Sequence, residues 1–260
     1  MAATILSRIV VMFASTFYLT CVARADEASP KPPEIVQRVI ASYEANVHGV
    51  VGMQRHFSTL IDAGIVKHTE RSDSAILFKD GAFAQLHYYA VIEDGKEFSA
   101  AQLSDRDEQA SEGWSSGKVF FKEPYDRRFA PDYSFAVVSP CTDCESGTVA
   151  VKFESAKHDD QHGAGTMWIA PADGRVVKIT YSPYVLPSKY ATAGTVTETT
   201  GSPLANLWYV VRIDESYQGR IMLLHGTGTF TALFDHFERF GSVAEGTAAV
   251  REGTIGTAKI

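Results

Sequence analysis

Three clusters in this chain combine residue types and spacing that can do chemistry. The first is Pro140-Cys141-Thr-Asp-Cys144, a C-x-x-C motif. A redox pair of this kind needs its first thiol at a helix N-terminus in a βαβ context, where the thiolate is stabilised. Here a strand-like run, Tyr133 to Val138, leads in, and Glu145-Ser-Gly and another strand come after it. Nearby acids raise a thiol pKa, so the expected role is a structural disulfide between Cys141 and Cys144. A zinc site would need a second ligand pair, and no second C-x-x-C exists.

The second cluster is His158-Asp-Asp-Gln-His162. Two His four residues apart share one side of a helix and can hold a metal. This segment lies between two strand-like runs and is followed by Gly163 and Gly165, so a solvated hairpin loop is expected instead. The third is Asp126-Arg127-Arg128, which can bind an anion but reads better as a surface ion-pair cluster. No G-x-S-x-G elbow, P-loop or G-x-G-x-x-G is present. No catalytic residue, metal ligand or cofactor is therefore expected.

The elements that would position these groups begin with a leader. Residues 1–25 carry the cation Arg8, an apolar run from Ile9 to Phe17, and Ala23-Arg24-Ala25 ahead of Asp26-Glu27. That is the charged, apolar and small-x-small order of a secretory signal peptide, with cleavage expected after Ala25. Cys21 lacks the flanks of a lipid-attachment site, because Thr20 and Tyr18 precede it. The apolar run is shorter than the roughly 20 residues that span a bilayer. Export to the periplasm is expected, and there an even pair of cysteines should oxidise. Losing Arg8 and Arg24 takes the formal charge of −7 to about −9. Such a chain repels polyanions, so nucleic acid is excluded as a partner.

Residues 26–32 read as a linker, 33–240 as one domain and 241–260 as a weakly ordered tail. Pro33 opens a helix whose stripe is Ile35, Val36, Val39, Ile40 and Tyr43. From Val50 the period changes to two, punctuated by Asp80-Gly81, Asp94-Gly95, Asp173-Gly174 and Gln218-Gly219. The expected hairpins pair 75–79 with 83–92, 167–170 with 176–181, and 209–214 with 221–225. A last strand covers 228–237. Residues 100–117 are expected to form a short helix or a mobile loop. Residues 182–206 read as a long connection with an irregular strand at 194–199. The fold class is mainly β (α+β), a meandering antiparallel sheet with an N-terminal helix packed against it.

Several strands are apolar on both faces. In 83–92, one face carries Ala84, Leu86, Tyr88, Ala90 and Ile92, and the other carries Phe83, Tyr89 and Val91. An antiparallel sheet with one wet face alternates cleanly. Here the second face must meet another sheet, the far wall of a barrel, a partner protein or an apolar ligand.

Gly165-Thr-Met-Trp-Ile-Ala-Pro-Ala-Asp-Gly-Arg-Val-Val-Lys-Ile, residues 165–179, resembles a hairpin of the outer-membrane lipoprotein-sorting family. The helix followed by Val50-Val-Gly-Met-Gln-Arg-His-Phe is similar to that family's start. The likeness covers residues 33–240 loosely, and Ala170 stands where the family has Asp. It implies a curved sheet forming a half-open β-barrel, closed by helices over an apolar cavity. It also implies lipid or an acylated protein as ligand, with an envelope membrane protein as a further partner. The expected function is a periplasmic carrier, and the alternative is a non-catalytic sensor of the same fold. The candidate cavity residues, taken from the two-faced strands, are Leu86, Tyr88, Trp168, Tyr209, Val211, Leu223 and Phe234.

Overall fold

The computed structural model describes residues 32–64, 67–115, 121–139, 144, 147–221 and 224–255. The leader, Cys141 and Leu223 lie outside them.

Helix α1 (Glu34–Asn46) forms where the apolar stripe predicts it, with Glu34 in its first turn. Its Val36 and Val39 are fully buried. Eleven strands come after it: β1 (Val50–Asp62), β2 (Lys67–Lys79), β3 (Ala82–Glu93), β4 (Lys96–Glu97), β5 (Tyr133–Val137), β6 (Val149–Ser155), β7 (Gly163–Ala170), β8 (Arg175–Pro183), β9 (Ala191–Leu204), β10 (Leu207–Ile221) and β11 (Leu224–Phe240). Helix α2 (Ala100–Ser115) lies between β4 and β5, and α3 (Val243–Glu252) comes after β11.

All strands form one unclosed, curved antiparallel sheet in the order β4-β3-β2-β1-β11-β10-β9-β8-β7-β6-β5. Two meanders, β1 to β4 and β5 to β11, are joined where β1 pairs with β11 over Val50↔Phe240 to Asp62↔Thr227. The exposed edges are the two-residue β4 and the five-residue β5. Short edges offer little template for pairing with another chain.

The two-faced strands are explained by a helix on each side. On β2, Ala75 and Leu77 face Val250 of α3 and Ile255. Ile76 on the opposite face joins Leu86, Tyr88 and Val91 beneath Leu103 and Ala110 of α2. Simple alternation misplaces half of β3, because two bulges interrupt its pairing with β2. Each bulge adds one residue and reverses the phase. Phe83, Leu86, Tyr88 and Val91 consequently share one side.

Of the two alternatives expected over 100–117 the helix forms, over Ala100–Ser115, and its Arg106 grips Glu70 through both carboxylate oxygens at 2.9 Å. Three expectations change. The 182–206 connection contains the full strand β9. Gln218-Gly219 is no hairpin turn: both residues pair inside β10, against Thr227 and Gly226 of β11. The C-terminal segment is ordered through Ser242, which caps α3 by accepting from the Glu245 N–H at 3.2 Å, and through the buried Val250 and Ile255.

Among the described residues, no helix is long and apolar enough to cross a membrane.

Candidate functional site

A cavity of about 760 Å³ lies between the sheet and the elements laid across it. Its floor is built by Met53, Arg55 and Phe57 of β1, by Val210, Ile213 and Glu215 of β10, and by Phe230, Ala232 and Phe234 of β11. Glu198 of β9 and Tyr181 of β8 extend it toward the second meander. Its roof is Tyr43 of α1 with the connection 121–129.

The roof is fixed by aromatic packing and one polar clasp. Phe121 stacks on Tyr181 at 3.7 Å, and Tyr43 meets Tyr125 edge-on at 5.0 Å. Asn46, in the last turn of α1, clasps the backbone of Trp208. Its Oδ1 accepts from the Trp208 N–H at 2.7 Å, and its Nδ2 donates to the Trp208 carbonyl. The indole N–H of Trp208 donates to Ser42 Oγ at 3.2 Å. This short β10 entry therefore hangs from the end of α1.

Charge enters this largely aromatic space in pairs. Asp126 is held by Arg128 through Nε at 3.0 Å and Nη2 at 2.6 Å. The expected ion-pair cluster forms, with Arg127 and Arg128 exposed and Arg127 paired to Glu44, while the buried Asp126 joins the cavity wall. Glu215 accepts from Tyr217 at 2.9 Å and feels the charge of Arg55. Arg55 lies 4.6 Å over the Phe57 ring.

Glu123 and Glu198 have no such cation. Glu198 is 4% exposed and accepts from Tyr181 Oη at 3.2 Å. Burial pushes its carboxyl up to about 7, with the charge of Glu215 adding to the shift. Burial also holds Glu123 well above the carboxylate range, and the neighbouring Glu198 raises it further. Glu123 Oε2 is buried with no hydrogen-bond partner.

A raised carboxyl pKa favours the folded state only while the group is protonated. Its contribution is complete below the unfolded value near 4.5 and is lost as pH rises through about 7. From pH 5 to pH 8, Glu198 should remove on the order of 2 kcal/mol of stability. Urea unfolding across that range should show Glu198→Gln flattening the decline. Parallel pH profiles for variant and parent would contradict this.

Of the residues expected in the cavity, Tyr209 and Phe234 line it. Leu86 packs beneath α2, and Tyr88 faces a smaller space of about 340 Å³ there. Trp168 stands on the face of β7 opposite the buried Met167 and Ile169, with the Lys178 ammonium 5.0 Å over its ring. Val211 is the extra residue of a bulge between Val210 and Arg212 and packs beside Leu207 and Phe237. The whole roof and all the buried acids escape a search by periodicity. The run Phe121-Lys-Glu-Pro-Tyr-Asp-Arg-Arg-Phe was the available signal, since alternating rings and charges are unusual in a solvated connection.

The His158–His162 segment does not converge on a metal. His162 is fully buried, its Nδ1 2.6 Å from Asp159 Oδ1 and its Nε2 3.4 Å from Asp132 Oδ2. His158 instead stacks on Tyr184 at 4.1 Å. The solvated loop expected here is thus anchored by a buried imidazole.

No family model matches the sequence, and no curated protein matches it. The structure is similar to a putative outer membrane lipoprotein-sorting protein domain from Vibrio parahaemolyticus, at 11% identity and a TM-score of 0.42, covering 86% of this chain and 97% of that one. It is similar to a LolA superfamily protein from Nitrosomonas europaea at 7% identity and a TM-score of 0.38, covering 81% and 96%. A likeness to MucB in the Pseudomonas aeruginosa MucA/MucB complex has 7% identity and a TM-score of 0.22, covering 80% and 99%. At these identities no residue role carries over from any of the three, and only the cavity itself bears on function.

Proposed function

We propose that this chain is a binding or carrier protein for lipid or lipoprotein acyl chains, acting in the periplasm after removal of residues 1–25. The observation that carries the reading is the cavity of about 760 Å³, roofed by Tyr43 and Tyr125 and floored by Ile213, Phe230, Ala232 and Phe234. Its volume lies within the roughly 300–1,000 Å³ of ligand sites. An apolar chain placed there gains about 25 cal/mol for each Å² withdrawn from water. The reading includes no catalytic step and no cofactor. It also includes a Cys141–Cys144 disulfide, supported by the disulfide-bonded state of Cys144.

Mass spectrometry of protein recovered from its native host tests the reading. A co-purifying species with at least one acyl chain is expected. A stable membrane-protein partner without lipid would favour the sensor alternative and overturn the carrier.

A further inference from the structure

We propose that the occupant of the cavity is an amphiphile bearing a protonated amine, with its ammonium seated between Glu123 and Glu198 and its chain along the apolar floor of β10 and β11. This rests on the cavity being the binding site, and it adds the charge of the head group.

The case starts from the cost of the pair. Two carboxyl groups face each other in a space walled by Tyr43, Phe121, Tyr125, Tyr181 and Trp208. The two carboxyls hydrogen-bond to each other, with Tyr125 against Glu123 and Tyr181 donating to Glu198, so without a ligand the pair is held by a shared proton. Once that proton leaves, a buried carboxylate without a counter-cation costs several kcal/mol unless something offsets it. The cations nearby are already engaged. Arg128 is spent on Asp126, Arg55 faces Glu215, and the Lys122 ammonium lies 5.6 Å over Phe129. No ion pair to Glu123 or Glu198 forms among the described residues. Glu123 Oε2 is a buried acceptor without a donor, within the lining of an open space.

An ammonium answers each of these features. It brings three donors and no acceptor, which suits a site of carboxylate oxygens. It brings the positive charge the pair lacks. Ring faces around it add cation–π attraction, which strengthens where water is excluded. A neutral head would meet only half of this, and an anionic head would meet Glu123 and Glu198, the two acids of the lining that no cation answers.

The test compares dodecylammonium with dodecanol by isothermal titration, two probes with one chain length and different heads. At pH 8 dodecylammonium should bind at least about tenfold more tightly, as expected for a charge pair in a desolvated site. The preference should shrink toward pH 5.5. Glu198 takes up its proton over that interval, while an alkylammonium, like Lys, keeps its own to about pH 10. The other groups facing the pair include Tyr43, Tyr125, Tyr133, Tyr181, Tyr209, Asp126 and Glu215. The tyrosines are held above their usual range by burial and stay neutral throughout. In Glu198→Gln and Glu123→Gln the ratio of the two affinities should fall below about two, with thermal unfolding reporting whether each variant folds. If a variant fails to fold, the ratio and its pH dependence in the parent decide alone.

Equal binding of the two probes at pH 8, or a preference unchanged between pH 5.5 and 8, would overturn the inference and leave the carrier reading standing. Binding of neither probe would overturn both. Spermidine carries ammonium groups without a long chain. Tighter binding of spermidine than of dodecylammonium would assign the site to a free polyamine and overturn the amphiphile.

Discussion

Gly165→Val should lower the unfolding free energy by about 4 kcal/mol, the exceptional range for one substitution. A Cβ at Gly165 would stand 2.1 Å from the Thr180 carbonyl oxygen and 2.7 Å from Tyr181 Cα. Both are backbone atoms of the paired strand, so no side-chain rotation relieves the clash. The ladder between β7 and β8 would have to part where Gly165 opposes Tyr181. Tyr181 also donates to Glu198 and stacks on Phe121, so the damage reaches the cavity wall. Thr166→Val, one residue on, is the control and should cost less than about 1 kcal/mol. Urea unfolding measures both. A Gly165→Val loss under about 1 kcal/mol would contradict the close approach.

Asn46→Ala should cost about 3 kcal/mol. It strips partners from the N–H and the C=O of Trp208, both buried. Each orphaned group carries a desolvation penalty of about 1–3 kcal/mol. The loss also frees the end of α1 from β10, where Tyr43 and Trp208 meet at 5.7 Å. Hydrogen exchange at the Trp208 amide should accelerate by the same free energy when opening limits exchange. Asn46→Asp tests the account separately, since it keeps the acceptor for the N–H but sets a carboxylate against the C=O. Its cost should at least match that of Ala at pH 8 and shrink at pH 4, where the protonated carboxyl can again donate. A cost for Asp independent of pH would contradict a two-bond clasp.

Much of the sheet was legible because its turns have local causes. Asp80-Gly81 and Asp94-Gly95 hold positive φ at both residues, as two-residue hairpins require. The α1 stripe was equally plain, since Val36 and Val39 recur at helical spacing. Gln218-Gly219 misled because glycine inside a strand can mark a close approach as well as a turn. A Cβ there would lie 3.0 Å from the Tyr190 carbonyl oxygen. Strand β9 was hidden by its polar composition: Thr195, Thr197 and Thr199 look solvated, while Val196, Glu198 and Thr200 are buried.

The cavity was less legible for three reasons. Leu86 and Tyr88 share a side with the cavity-lining Phe83 and Phe234, but α2 covers them there, and no spacing within the strand shows which part of a face a distant helix will occupy. The bulge at Val211 reverses the alternation of β10. Charged residues are assigned to water by default, which hid Glu123 and Glu198. Only the fold brings those two together, across 75 residues of chain. The roof faced the same obstacle, because 121–129 has no periodicity to read.

Trp208 lies in the cavity wall and provides the most direct test of an acyl site. Trp114→Phe and Trp168→Phe together would leave it the only indole in the chain, which has three. Titration with a fatty amine brominated in mid-chain should then quench its fluorescence saturably, since bromine quenches only on close approach. An unbrominated analogue should compete the effect away. A chain that binds without quenching Trp208, or no saturable binding at all, would contradict a ligand cavity beneath α1.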